Sequence, residues 1–270
     1  MTRKISHSLI NGRTGAGTAG QGLKVEWDST EDGELHWMDV DESTLEYVVP
    51  WAFGGTNSGF SSGGYGGSYY NTIDKFLFSS NTTATDHGDL TISKAALAGH
   101  SSTTDGFTSG GGNGGTENTI NKFAFSSNVT AADHGDLSVA REGIAGVSSS
   151  DKGFSAGGYP NQTVLDYWSF SSNTTATDHG DMSVNRYATS GQSASDYGFC
   201  SGNNGTGTID KFAYASNTTA TNHGSLSVNR SWTTGHSTPD YGWSAGGGGN
   251  SDVIDRFAKN QIPDEMDEFS

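Results

Sequence analysis

The sequence predicts an all-β protein, a five-bladed β-propeller preceded by a small N-terminal β module. Three observations carry this reading. A double-glycine motif recurs five times, as Gly59-Phe60-Ser61-Ser62-Gly63-Gly64, Gly106-Phe107-Thr108-Ser109-Gly110-Gly111, Gly153-Phe154-Ser155-Ala156-Gly157-Gly158, Gly198-Phe199-Cys200-Ser201-Gly202-Asn203 and Gly242-Trp243-Ser244-Ala245-Gly246-Gly247, at spacings of 44 to 47 residues. A fixed period of that length marks a repeat architecture. Around each copy, short runs of apolar residues are bounded by Gly, Asn, Ser and Thr, the signature of strands and turns. With 40 glycines and 31% hydrophobic residues in 270, the composition favours many thin sheets over one thick core.

Residues 1–22 are polar and broken by Gly12, Gly15, Gly17, Gly20 and Gly22. Strand candidates follow at 23–27, 34–40 and 45–49, with Glu31-Asp32-Gly33 as the turn between the first two. This module ends at Pro50, so the domains are read as 1–50 and 51–270. Charge is split across it: Arg3, Lys4, Arg13 and Lys24 stand without an acid up to residue 25, and nine acids follow from Glu26 to Glu46. The basic arm is either a docking surface for another protein or a solvated tail.

Beyond it, four strands per repeat give blades at about 51–92, 93–139, 140–184, 185–228 and 229–270. Strand a is 97–101 with counterparts at 144–148, 189–193 and 233–237; in the first repeat 51–54 falls in register. A tight turn follows, as in Asp151-Lys152-Gly153, where Asp bonds its own backbone and Gly accepts positive φ. Strand b is the double-glycine motif. Strand c, 72–78, puts Phe76 and Phe78 on one face and Ile73 on the other. Its counterparts carry Phe123 and Phe125, Trp168 and Phe170, Phe212 and Tyr214. Apolar residues on both faces imply a sheet covered on both sides, as neighbouring blades would cover it. Strand d carries Asp-His-Gly-Asp-Leu. In the last repeat, 265–270 laid on 133–138 supplies it, or else the N-terminal module does.

A net charge of −16 argues against nucleic-acid binding, which needs a basic face. No apolar run is long enough to span a membrane, and the first nine residues lack the apolar stretch of a secretory signal. Cys200 is the single cysteine and stands where other repeats carry Ser or Thr, which reads as small buried filler. His87, His134, His179 and His223 repeat beside carboxylates, a metal-ligand chemistry, but they lie on four different blades. Asn222-His223-Gly224-Ser225 also loses both acids, so the motif is read as a turn, with no metal and no cofactor. Two registers of cations, Lys94, Arg141, Arg186 and Arg230, and Lys75, Lys122, Lys211 and Arg256, read as ion pairs between strands or blades. Exposed pairs of that kind contribute roughly 0–1 kcal/mol each.

Nothing matches His-Glu-x-x-His or a phosphate loop. Plentiful Asp and Glu leave a glycosidase pair open by counting alone, yet near-identical repeats argue against an active site, and no catalytic residue is assigned. His36, His100 and His236 stand outside the repeated His motif. His100 and His236 share strand a, where Val147 and Gln192 replace them, which suits packing near the axis. The segments between strands b and c differ most, at 65–70, 113–117, 159–162, 203–207 and 248–251. Loops on a rigid scaffold are where function concentrates. Tyr65, Tyr69, Tyr70 and Tyr159 are the candidate ligand residues there, suited to stacking on a sugar ring.

The double glycine ending a strand, the period and the Arg after Leu/Met-Ser resemble kelch-type propeller repeats. Gly-Phe-Ser-Ser-Gly-Gly, Ile-Asp-Lys-Phe, Ser-Ser-Asn-Thr-Thr-Ala-Thr-Asp-His-Gly-Asp-Leu and Ser-Val-Asn-Arg look like the kelch-like repeats of marine bacteriophage virion proteins, many labelled tail fibres. Gly17-Thr18-Ala19-Gly20-Gln21-Gly22-Leu23, with Leu35-His36-Trp37 after it, is similar to a linker module common in phage fibre proteins. Together these cover nearly the whole chain. The resemblance implies a non-enzymatic virion protein in multiple copies, made in the host cytoplasm. Its N-terminal module would join other virion proteins through Arg3, Lys4, Arg13 and Lys24. The propeller would face outward, toward a host surface glycan. The alternatives it leaves are a capsid, neck or tail decoration protein binding only virion proteins, and a propeller enzyme acting on polysaccharide.

Overall fold

The computed structural model describes residues 24–28, 35–39, 57–160, 162–202, 205–248 and 251–259. The chain falls into two units, Met1–Val49 and Pro50–Ser270. In the first, β1 (Lys24–Asp28) and β2 (Leu35–Asp39) pair antiparallel, from Lys24↔Asp39 to Asp28↔Leu35. The strand expected at 45–49 and the turn at 31–33 lie outside the described residues. So do Arg3, Lys4 and Arg13, while Lys24 opens β1.

The second unit is five antiparallel sheets arranged as a five-bladed β-propeller, without a helix among the described residues. Blade 1 contains β3 (Ser58–Ser62), β4 (Thr72–Leu77) and β5 (Thr85–Asp89). Blade 2 contains β6 (Ala98–Ser101), β7 (Asp105–Ser109), β8 (Thr119–Ala124) and β9 (Ala132–Asp136). Blade 3 contains β10 (Ala145–Ser148), β11 (Lys152–Ala156), β12 (Gln162–Ser169) and β13 (Thr177–Arg186). Blade 4 contains β14 (Ser190–Ser193), β15 (Tyr197–Ser201), β16 (Thr208–Ala213) and β17 (Thr221–Ser225). Blade 5 contains β18 (Thr234–Ser237), β19 (Tyr241–Ala245) and β20 (Ile254–Ala258). Sequence neighbours pair throughout, and β6, β10, β14 and β18 lie side by side as the inner strands. Strand a of blade 1, expected at 51–54, and strand d of blade 5, expected at 265–270, fall outside the described residues.

Two glycines per repeat have identifiable duties. The glycine before the strand-b aromatic makes room for the strand-c ring: a Cβ on Gly106 would stand 2.3 Å from Phe123, and one on Gly198 2.2 Å from Phe212. The first glycine of the double pair takes positive φ, 58° at Gly110 and 66° at Gly157, turning the chain out of strand b.

Each blade is joined to the next by the same parts. The strand-b aromatic of one blade lies on the strand-c aromatics of its successor: Phe60 on Phe125 (5.0 Å between centroids), Phe107 on Phe170 (4.7 Å), Phe154 on Tyr214 (4.8 Å) and Phe199 on Phe257 (5.5 Å). The Tyr214 hydroxyl donates to the Ser148 carbonyl of the preceding blade; in blade 5 Lys259 takes that place and its ammonium donates to Ser193 O. Two hoops of hydrogen bonds bind the inner strands. At their C-terminal ends, backbone N–H groups of Ser101, Ser148 and Ser193 donate to the hydroxyls of Ser148, Ser193 and Ser237. At their N-terminal ends, Gly143, Ala188 and Trp232 donate N–H to the carbonyls of Ala96, Gly143 and Ala188.

The expectation that every sheet is covered on both faces holds inside the array and not at its start. Phe123, Trp168 and Phe212 are buried, whereas at the same register Phe76 is 42% exposed and its neighbour Phe78 61%. No preceding blade's aromatic stacks on them among the described residues. On blade 5, His236 is exposed and Trp243 only half-buried where His100 and Phe107 pack in blade 2. The two ends of the array thus carry the two halves of an interface that is filled four times in between.

Candidate functional site

The repeated histidines are spent on holding blades together. His87, His134, His179 and His223 each donate from Nε2 to a carbonyl of the next blade, at Ala124 (2.9 Å), Ser169 (2.9 Å), Ala213 (2.8 Å) and Ala258 (2.8 Å). Beside them, Asn128, Asn173 and Asn217 donate back to the carbonyls of Asp86, Asp133 and Asp178. The Asp-His-Gly-Asp motif is not the turn its residues suggested. It lies within β5, β9, β13 and β17, where the pairing register shifts in blades 1, 2, 3 and 4. Asp86 accepts from the Gly88 N–H and Gly88 takes φ 121°, so the turn chemistry survives as a β-bulge. The bulge aims the ring at the neighbouring blade.

The first cation register is likewise not a set of exposed ion pairs. Arg141 Nη1 meets Asp166 Oδ2 at 2.9 Å and Arg186 Nη2 meets Asp210 Oδ2 at 2.9 Å, with all four side chains fully buried. Arg230 and Asp255 repeat the pair at 2.8 Å with Asp255 partly exposed. Arg141 also donates to Ser155 O, and Asp166 accepts from both the hydroxyl and the N–H of Ser138. Sequence could not rank these pairs because the partners lie 24 or 25 residues apart. The second register is closer to expectation: Lys122 pairs with Asp105 at 3.3 Å and is half exposed, and Lys211 lies 3.8 Å from the Tyr197 ring centre.

Blade 2 departs from the pair in both members at once. Lys94 stands for the Arg and Asn121 for the Asp. Asn121 Oδ1 accepts from Thr91 N and Oγ1, and Lys94 Nζ donates to Thr119 O and Oγ1. Burial pulls the Lys94 pKa down to about 8, opposed by the nearby Glu117. A folded-state pKa below the unfolded value of about 10.4 means that the unfolded chain binds more protons between those limits. Stability is therefore expected to rise between pH 8 and about 10.4. Lys259, also lowered to about 8, adds to that rise. Lys94→Met should flatten part of it, by an amount on the order of 1–3 kcal/mol; urea unfolding at pH 8 and pH 10 measures this, and an unchanged slope would refute it.

Near the axis, His100 is buried as a neutral ring. Its Nδ1 donates to Val147 O at 3.1 Å and its Nε2 accepts from Ser109, itself bonded to Ser155. Burial lowers its pKa to about 4, opposed by the Val147 hydrogen bond. Packing, as the sequence implied, accounts for it. Cys200 is buried, and burial raises its thiol pKa.

What remains for a ligand lies on the end of the propeller built from the b–c loops and the d–a crossings. In blade 1 the chain leaves the double glycine into Tyr65, which bridges Tyr69 at 5.1 Å between ring centres, and the Tyr70 N–H returns to Gly64 O. In blade 3 Tyr159 and Glu142 exchange backbone hydrogen bonds, and the Tyr159 ring meets Tyr187 edge-on at 5.9 Å. Tyr65 is 65% exposed and Tyr159 50%. The four tyrosines singled out from sequence thus form two clusters on different blades, one of three and one joined by Tyr187. The sequence reading missed Trp232 on the last d–a crossing. The signal was present: Ala96, Gly143 and Ala188 occupy its position in the other repeats.

No protein-family model matches the chain. No curated protein matches it significantly.

Proposed function

We propose that the chain is a non-enzymatic bacteriophage virion protein, a fibre or appendage component present in multiple copies. In this reading its propeller recognises a glycan on the host surface. The observation that carries recognition is a division of labour: the repeated polar groups are spent between blades, while the unrepeated Tyr65, Tyr70 and Tyr159 are exposed on loops at one end. Stacking on such rings is the common way for proteins to hold the apolar face of a sugar. The virion setting rests on the resemblance of the repeats. Attachment to other virion proteins through residues 1–50 rests on Arg3, Lys4, Arg13 and Lys24 preceding an acidic stretch. A net charge of −16 disfavours nucleic acid as the partner.

A second reading, a capsid, neck or tail decoration protein binding only virion proteins, is favoured by the strip of Phe76, Leu77 and Phe78 exposed on blade 1. Such a strip suits a protein partner better than a sugar. Antibody-gold labelling of purified particles tests both. Label on fibres or at the tail tip is expected; label over the capsid or neck favours decoration. No label removes the virion setting, and cleavage of host polysaccharide by the purified chain overturns the non-enzymatic part.

A further inference from the structure

Four d–a crossings place one residue each in the left-handed region: Ala96 (φ 54°), Gly143 (63°), Ala188 (57°) and Trp232 (58°). These residues form the hydrogen-bonded hoop at the N-terminal ends of the inner strands. Left-handed backbone is unfavourable for any residue with a Cβ and is rare for bulky ones. Three repeats keep the side chain there at a methyl or nothing; the fifth carries an indole.

The indole is only partly packed. Trp232 is 57% exposed. Its Cη2 lies 3.7 Å from the place a Cβ would take on Gly143, two blades away, and its Cδ1 4.0 Å from that on Gly248. The ring therefore reaches back over the hoop at the axial mouth, resting on glycine surfaces. Glu142 adjoins Gly143 in sequence and is tied by backbone to Tyr159, whose ring meets Tyr187. Ser231 brings its hydroxyl beside Gly248. A left-handed backbone carrying an exposed aromatic, where the other three described crossings carry alanine or glycine, calls for an occupant to offset the cost.

We infer that Trp232 is the floor of a binding site at the axial mouth for one uncharged or amino-bearing pyranose ring, an inference that rests on the glycan-recognition reading. The indole takes the C–H face of the sugar. The Ser231 hydroxyl, which shares the Gly248 surface with the indole, offers a partner for its hydroxyl groups. The net charge of −16 disfavours sulfated or phosphorylated sugars.

The test uses the full chain on an array of immobilised hexoses, N-acetylhexosamines and their oligomers, with tryptophan fluorescence to follow titration of the sugars that bind. Trp232→Ala should weaken binding at least tenfold with a Tm no lower than that of the original chain, since alanine is what two other crossings carry. Original and variant binding alike, with Tyr65→Ala or Tyr159→Ala abolishing the signal, would overturn the axial site and leave glycan recognition standing on the loops. Binding of no array sugar would overturn both. Fluorescence quenching by tetramethylammonium without any sugar bound would overturn the sugar assignment in favour of a cationic ligand.

Discussion

Asp166→Asn is expected to lower stability by about 3–5 kcal/mol, the cost of removing one partner from a buried ion pair. The substitution keeps the shape that accepts the Ser138 hydroxyl but leaves the Arg141 guanidinium, 2.9 Å away and fully buried, without its counter-charge. Burial already draws the Arg141 pKa down and Asp166 draws it back up. Blade 2 supplies the control. There Lys94 and Asn121 hold the same two positions without a carboxylate between them. Adding Arg141→Lys to Asp166→Asn should therefore recover part of the loss, so the double variant unfolds at a higher urea concentration than Asp166→Asn alone. Equal m-values across the set make the midpoints comparable. If Asp166→Asn stays within about 1 kcal/mol of the parent, the buried pair is not what seats the guanidinium.

Phe123→Ala should cost about 3–5 kcal/mol, as for a buried aromatic whose surroundings do not collapse. Its ring fills the space over Gly106 and lies 5.5 Å from Phe60 of the preceding blade. Phe76→Ala removes the same residue type from the same register of blade 1 and should cost about 1 kcal/mol, because that face is bare and part of its burial value is never realised. The comparison isolates the neighbouring blade, since each ring lies 2.3 Å from where a Cβ on its own glycine, Gly59 or Gly106, would stand. Equal losses for the two variants would mean that blade 1 has its outer face covered in solution.

Much of the frame was legible in the sequence. β6 falls inside 97–101 and β4 inside 72–78 because alternation and glycine punctuation are local signals. Register between blades was not. The reach of His87 to Ala124, of Ser101 to Ser148 and of Tyr214 to Ser148 spans 37, 47 and 66 residues, and no local pattern encodes such partners. The same gap in information made Arg141 and Arg186 read as exposed and the Asp-His-Gly-Asp motif as a turn. At the candidate site, Tyr65, Tyr69, Tyr70 and Tyr159 were visible as variable aromatics, but their division into two clusters depends on which blade carries each loop. Trp232 was hidden for a different reason. It sits among repeated residues, and only the left-handed backbone that it shares with Ala96, Gly143 and Ala188 shows how costly an indole is at that position.

The hoops and histidine clips lie on the strands and at the d–a crossings, and the segment from Tyr65 to Tyr70 bonds chiefly to itself and to its own blade. Substitution in that segment therefore leaves the joints between blades intact. A lineage carrying this chain could exchange one binding face for another through small steps, each still folded, while drift in the strands is held back by partners on two sides. Innovation and permanence are assigned to different residues of the same repeat.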